Sequence, residues 1–106
     1  MKRLTHVGVT TVLLLSGCAW VQLTNEGEQV SVIQPELAKT CKRIGQTEST
    51  VKDKVGVFER NDNKVADELQ TLARNAAGRM GGDAVMAAGP VEEGKQLFYI
   101  YDCIER

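Results

Sequence analysis

The chain is poor in the residues that most chemistry needs. Among 106 residues there are one histidine, three cysteines, one tryptophan, two tyrosines and two phenylalanines. That leaves little material for a metal cage or a catalytic constellation. Charge of one sign is lacking too, with 13 Lys and Arg against 14 Asp and Glu. The basic excess or stripe of a nucleic-acid binder is therefore missing. No apolar run approaches the ~20 residues that cross a bilayer as a helix. Repeats and low-complexity segments are absent, and a chain of this length is expected to form one domain.

What is present begins with an address. Lys2 and Arg3 precede a nine-residue apolar stretch, Val7 to Leu15, and no acid interrupts them. This is the charge and length pattern of a secretory signal. Leu15-Ser16-Gly17-Cys18 follows and resembles the lipobox of bacterial lipoproteins. Small residues at Ser16 and Gly17 suit a peptidase closing on the bond before Cys18, whose thiol would carry the lipid. Residues 1–17 are thus expected to be a signal peptide. Cys18 would be a lipidated anchor in the bilayer, and residues 18–28 a tether. Ala19 follows Cys18 where aspartate would retain an enterobacterial lipoprotein in the inner membrane, so the expected location is the outer membrane, facing the periplasm.

Cleavage before Cys18 leaves 89 residues with eleven bases and fourteen acids, a formal net charge of −3, and no histidine. Serine and cysteine nucleophiles that borrow a histidine base are excluded. Two remaining cysteines are too few for a zinc site of the Cys/His type. With Cys18 acylated, Cys41 and Cys103 form an even pair in an oxidising compartment, which favours a structural disulfide across 62 residues. The alternative, a redox pair, normally has closer spacing.

Residues 29–106 read as a single small α/β domain. Val30-Ser31-Val32-Ile33 alternates like a short strand, and Cys41 to Gln46 suggests a second. Thr47 to Asn63 fits either a hairpin or a long loop. From Asn61 to Met80, Val65, Leu69, Leu72, Ala73, Ala76 and Met80 recur at helical spacing, with Asn61 or Asn63 as cap and Gly81-Gly82 as stop. Ala84 to Ala88 is apolar throughout, as in a strand covered on both faces. Gly89 to Gly94 is turn chemistry, and Lys95 to Ile104 is a strand returning beside it. The fold class is α+β: one amphipathic helix on a small, mainly antiparallel sheet of three to four strands, tied by one disulfide.

Candidate chemistry is thin. Gly89 to Gln96 falls one residue short of the phosphate loop G-x-x-x-x-G-K-[ST]. Gln96 replaces the magnesium-binding hydroxyl, and Glu92 and Glu93 would repel phosphate, so it is rejected. The adjacent carboxylates Glu92/Glu93 and Asp67/Glu68 fit solvated surface. Tyr99 and Tyr101 suggest core more than a binding site.

The run Val65 to Val85, with Cys41-Lys42-Arg43-Ile44-Gly45 before it and Tyr99-Ile100-Tyr101-Asp102-Cys103 after it, resembles a family of small Gram-negative lipoproteins known only as a domain of unknown function. It is similar, more distantly, to the outer-membrane lipoproteins that sense envelope stress for the Rcs phosphorelay. That resemblance implies a compact α/β domain with a disulfide-tied sheet. The Rcs sensors have four domain cysteines and a long proline-rich linker, and this chain has neither.

The expectation is a non-enzymatic interaction or envelope-stress sensing module without a cofactor or metal. Its partner would be an envelope protein met through Glu92, Glu93, Asp67, Gln70 and Arg74. The alternative is a small-ligand or metal-ion binding domain using Tyr99, Tyr101 or the Glu92-Glu93 loop.

Overall fold

A computed structural model describes residues 21–55 and 58–104. The expected signal, Cys18, Ala19 and Trp20 lie outside the described residues. The elements in chain order are α1 (Asn25–Glu28), β1 (Ser31–Val32), α2 (Pro35–Ala38), β2 (Lys42–Thr50), β3 (Lys54–Val55), β4 (Phe58–Glu59), α3 (Asp62–Arg79), β5 (Ala84–Ala87) and β6 (Lys95–Asp102). Four strands form a mixed sheet in the order β1-β5-β6-β2, and β3 and β4 pair as a separate hairpin. The fold is α+β, as expected.

Helix α3 organises the core. The Asn61 side chain accepts from the N–H groups of Asn63 and Lys64 at 2.8 and 3.2 Å, which caps the first turn. At the other end Gly81 takes φ +83°. The Gly82 N–H donates to the Ala77 carbonyl and the Gly81 N–H to that of Gly78, the paired bonds of a Schellman stop. Val65, Leu69, Ala73 and Ala77 form a buried stripe four residues apart, packed on Val30, Val85, Phe98 and Ile100. Small alanines let the helix approach the sheet closely. Met80, expected on this stripe, is instead 50% exposed. It is the C-cap residue, past the edge of the sheet, and only its methyl group reaches back over Gly45.

The opposite face of the sheet carries a second cluster of Ile33, Ala38, Ala84 and Tyr101, with Cys41, Met86, Tyr99 and Cys103 packed against it. Coverage there is partial. Ala84 and Val85 are both buried on opposite faces of β5, whereas Met86 is half-buried and Ala87 exposed. Two-sided burial therefore holds for only the first half of that strand, where α2 lies over it.

Strand β2 runs to Thr50, four residues beyond the expected Cys41 to Gln46 segment, and pairs antiparallel with β6 from Lys42↔Asp102 to Thr50↔Lys95 with a bulge at Ile44. Its polar composition fits an edge strand. The next step of this ladder is Cys41 opposite Cys103, joined by a disulfide with Cα atoms 4.4 Å apart. Strand pairing thus brings the two thiols together. Between Thr47 and Asn63, the choice between hairpin and loop resolves into the end of β2 followed by the β3–β4 hairpin.

The expected tether runs to Glu28, whereas from Gln22 onward the chain is docked on α3. The Asn75 side chain accepts from the Thr24 N–H and hydroxyl at 2.9 and 3.1 Å and donates to the Gln22 carbonyl at 2.9 Å. Gly27 is buried against Asn75, where a Cβ would collide with the amide oxygen. Glu68, expected as solvated surface beside Asp67, is buried in a bidentate pair with Arg60 at 2.9 and 2.7 Å. The hydrogen bond with Glu68 raises the Arg60 pKa above its ordinary value. Arg60 also donates to the Lys52 carbonyl, which ties the β3–β4 hairpin to the helix.

Candidate functional site

The most distinctive surface geometry is at the β5–β6 connection. Glu92 and Lys95 exchange both backbone hydrogen bonds at 2.9 Å, leaving Glu93 and Gly94 as a two-residue turn. Their φ values are +51° and +73°, the double positive of a type I′ hairpin. Glycine fills the second position at no steric cost, and a Cβ there would strike the Val51 carbonyl. Glutamate at the first position is strained, by roughly 1–2 kcal/mol for a left-handed non-glycine residue. Glu93 is the one non-glycine with positive φ among the described residues. The turn is pinned from below: the Val51 N–H donates to the Gly94 carbonyl at 2.8 Å. Glu92 and Glu93 are both exposed.

Beside the turn lies an open groove of about 830 Å³, walled by Glu48, Pro90, Glu92, Glu93, Lys95 and Leu97. The Gln96 amide donates to the Gly89 carbonyl at 2.9 Å and holds the descending loop against β6. A second groove of about 390 Å³ runs between the turn and the start of α3, bordered by Asp53, Asp62, Ala66 and Glu93. Glu93 thus borders both. Among the described residues, no three histidine, cysteine or acidic side chains are placed to hold a metal ion. The phosphate-loop near miss is a β-hairpin, and Lys95 opens strand β6 in place of the helix N-terminus that would receive a phosphate.

The other expected contact residues divide. Asp67 and Gln70 are exposed on α3, as a surface role requires. They do not line either groove. Arg74 is not free for a partner: its Nε donates to the Val30 carbonyl at 2.8 Å, and the side chain is half-buried between α3 and the segment after α1. Tyr101 is 7% exposed and belongs to the second core cluster. Tyr99 lies under the Arg43 guanidinium, 3.5 Å from its ring centroid, in a cation–π contact. Neither tyrosine borders the two grooves.

Three structural residues carry no obvious sequence signature. Asn75 clamps the N-terminal segment, Glu68 receives Arg60, and Asp83 accepts from the N–H groups of Cys103 and Ile104 at 2.7 and 3.0 Å. A clue exists for Asn75, because asparagine is a poor helix former in the middle of an Ala-rich run.

The family model described as a domain of unknown function (DUF4156) matches residues 21–103. No curated protein and no solved structure matches the chain.

Proposed function

Since the chain belongs to the family described as a domain of unknown function (DUF4156), a description that assigns no chemistry, we propose its role from its own geometry. It is a lipid-anchored, non-enzymatic interaction or envelope-stress sensing module of the Gram-negative cell envelope. Cys18 holds it on the periplasmic face of the outer membrane, and it meets an envelope protein through the Glu92-Glu93 turn. The Leu15-Ser16-Gly17-Cys18 pattern supports the anchoring, and the family match begins three residues beyond Cys18.

One observation carries the interaction reading: a strained, exposed glutamate at the tip of a pinned hairpin. An exposed turn free of functional constraint would relax by placing glycine or asparagine at Glu93, so the strain points to a use for the side chain. Charge at such a tip steers a partner more than it fixes the partner's identity. The complement is a basic segment that lies along the groove beside Glu48 and Glu92.

The test is charge reversal, Glu92→Lys with Glu93→Lys, in the acylated chain. Both side chains are exposed, so the melting temperature should stay nearly constant while crosslinked envelope partners change. Identical partners for both chains would refute the use of this turn. A substrate turned over by the purified chain, and lost with one carboxylate, would refute the non-enzymatic reading. A groove of 830 Å³ also falls within the size range of small-ligand sites. That supports a second reading as a small-ligand binder, and saturable thermal stabilisation by a small molecule would select it.

A further inference from the structure

We infer that the end of the domain bearing Leu37, Ile44, Met80 and Ile104 rests on the bilayer surface and holds the hairpin tip pointing away from it. The inference deepens the proposed anchoring at Cys18 and rests on it. Among the described residues, six large hydrophobics are exposed, and these four are 51, 37, 50 and 59% exposed respectively. They share one end of the sheet. Strand β2 starts there with Lys42 opposite Asp102, and β5 starts there with Ala84 opposite Tyr101. Met80 reaches over Gly45, and the Ile44 side chain lies against Gly82. Leu37 and Ile104 border an apolar recess of about 170 Å³ with Ile33 and Ala84. Val91, by contrast, sits at the far end beside Glu93.

The N-terminal segment selects the occupant. Gln22 is held by Asn75, and Glu26 packs on Gly78 in the last turns of α3. Asn75 lies about 7 Å along the helix axis from Met80, and Val65, beside the hairpin, about 22 Å from it. From Val21 back to Cys18 is three residues, a reach of roughly 10 Å. So short a tether keeps the domain against the lipid and reaches it most directly with the Met80 end down. Lys42, Arg43 and Arg79 are exposed around the same end. The stems of Lys42 and Arg79 can lie along the apolar patch while their charges meet phosphate headgroups, whereas the Arg43 guanidinium is held over the Tyr99 ring. Asp83 and Asp102 share this end, so apolar insertion carries the contact and charge assists it. The geometry is that of an interfacial surface added to a lipid anchor.

The test uses the acylated mature chain in phosphatidylethanolamine and phosphatidylglycerol vesicles whose acyl chains are brominated. In a Trp20→Phe background, tryptophan is introduced by Met80→Trp, by Ile44→Trp as a second reporter, or by Val91→Trp as the distal control. All three sites are exposed, so the fold should tolerate them. The expected result is several-fold quenching at Met80→Trp and Ile44→Trp, with Val91→Trp almost unaffected. Equal quenching at both ends, or none, on chains that float with the vesicles overturns the inference and leaves the anchoring intact. Absence of acyl chains on Cys18 by intact mass removes both. A blue shift at Met80→Trp that follows protein concentration in detergent, without bromolipid quenching, assigns the patch to a second copy of the chain and also overturns the inference.

Discussion

Consider the double variant Cys41→Ala with Cys103→Ala. The bridge closes a 62-residue segment that contains β2, α3, β5 and β6. In the chain-entropy treatment, opening a loop of that length frees the unfolded ensemble by about 4 kcal/mol at 25 °C. A domain of this size has a total stability of roughly 5–10 kcal/mol. The variant should therefore still fold, with only a narrow margin. The native ends remain aligned without the bond. The β2–β6 ladder persists from Lys42↔Asp102 inward, and Asp83 still receives the N–H of residue 103. Urea unfolding should show the loss as a lower midpoint, and the melting temperature should fall by roughly 15–30 °C. The denaturant slope should rise as well, because an uncrosslinked chain exposes more surface on unfolding. Wild-type protein treated with dithiothreitol should match the double variant, since both act on the same loop. A loss below ~1 kcal/mol with an unchanged slope would refute the argument, because the loop-closure treatment requires about four times as much. A reduced wild type much more stable than the variant would instead locate the effect in packing around the side chains.

Two further outcomes follow from other contacts. Asn75→Ala removes three hydrogen bonds and leaves the Thr24 N–H without its partner, which should lower stability by about 2–4 kcal/mol. Hydrogen exchange over residues 22–28 should accelerate far more than over β6, and uniform protection would argue against the clamp. Glu93→Asn places a residue that tolerates the left-handed region at the strained turn position, so stability should rise by roughly 0.5–1 kcal/mol. Gly94→Ala should do the reverse, because it adds strain at φ +73° and a clash with the Val51 carbonyl. Thermal melts of the two variants check both signs together.

Much of the fold can be read from local pattern. The period of Val65, Leu69 and Ala73, the Asn61 cap and the Gly81-Gly82 stop define α3 within a residue of its observed ends, because caps and helical periodicity act over one or two turns. The β5–β6 hairpin is announced by an apolar run, a turn-rich segment and an aromatic strand. The Cys41–Cys103 pairing is legible as the even pair that remains once the expected lipobox sets Cys18 aside. The candidate site is legible as a turn bearing two acids, but its strain is not, since the φ of Glu93 is set by the hairpin register that surrounds it.

Other features depend on partners distant in the chain. Strand β1 lies parallel to β5 across more than fifty residues, and two residues of strand carry too little periodicity to reveal that neighbour. Arg74 and Glu68 look like solvated helix surface until the Val30 carbonyl and Arg60 are brought against them. Residues 22–28 have the composition of a linker, yet Asn75 and Gly78 give them a docking site fifty residues downstream. Composition and period report how a residue treats water and its nearest turn. A single hydrogen bond between a polar side chain and a remote backbone changes neither, so only the folded chain decides which polar residues are buried and where the tether ends.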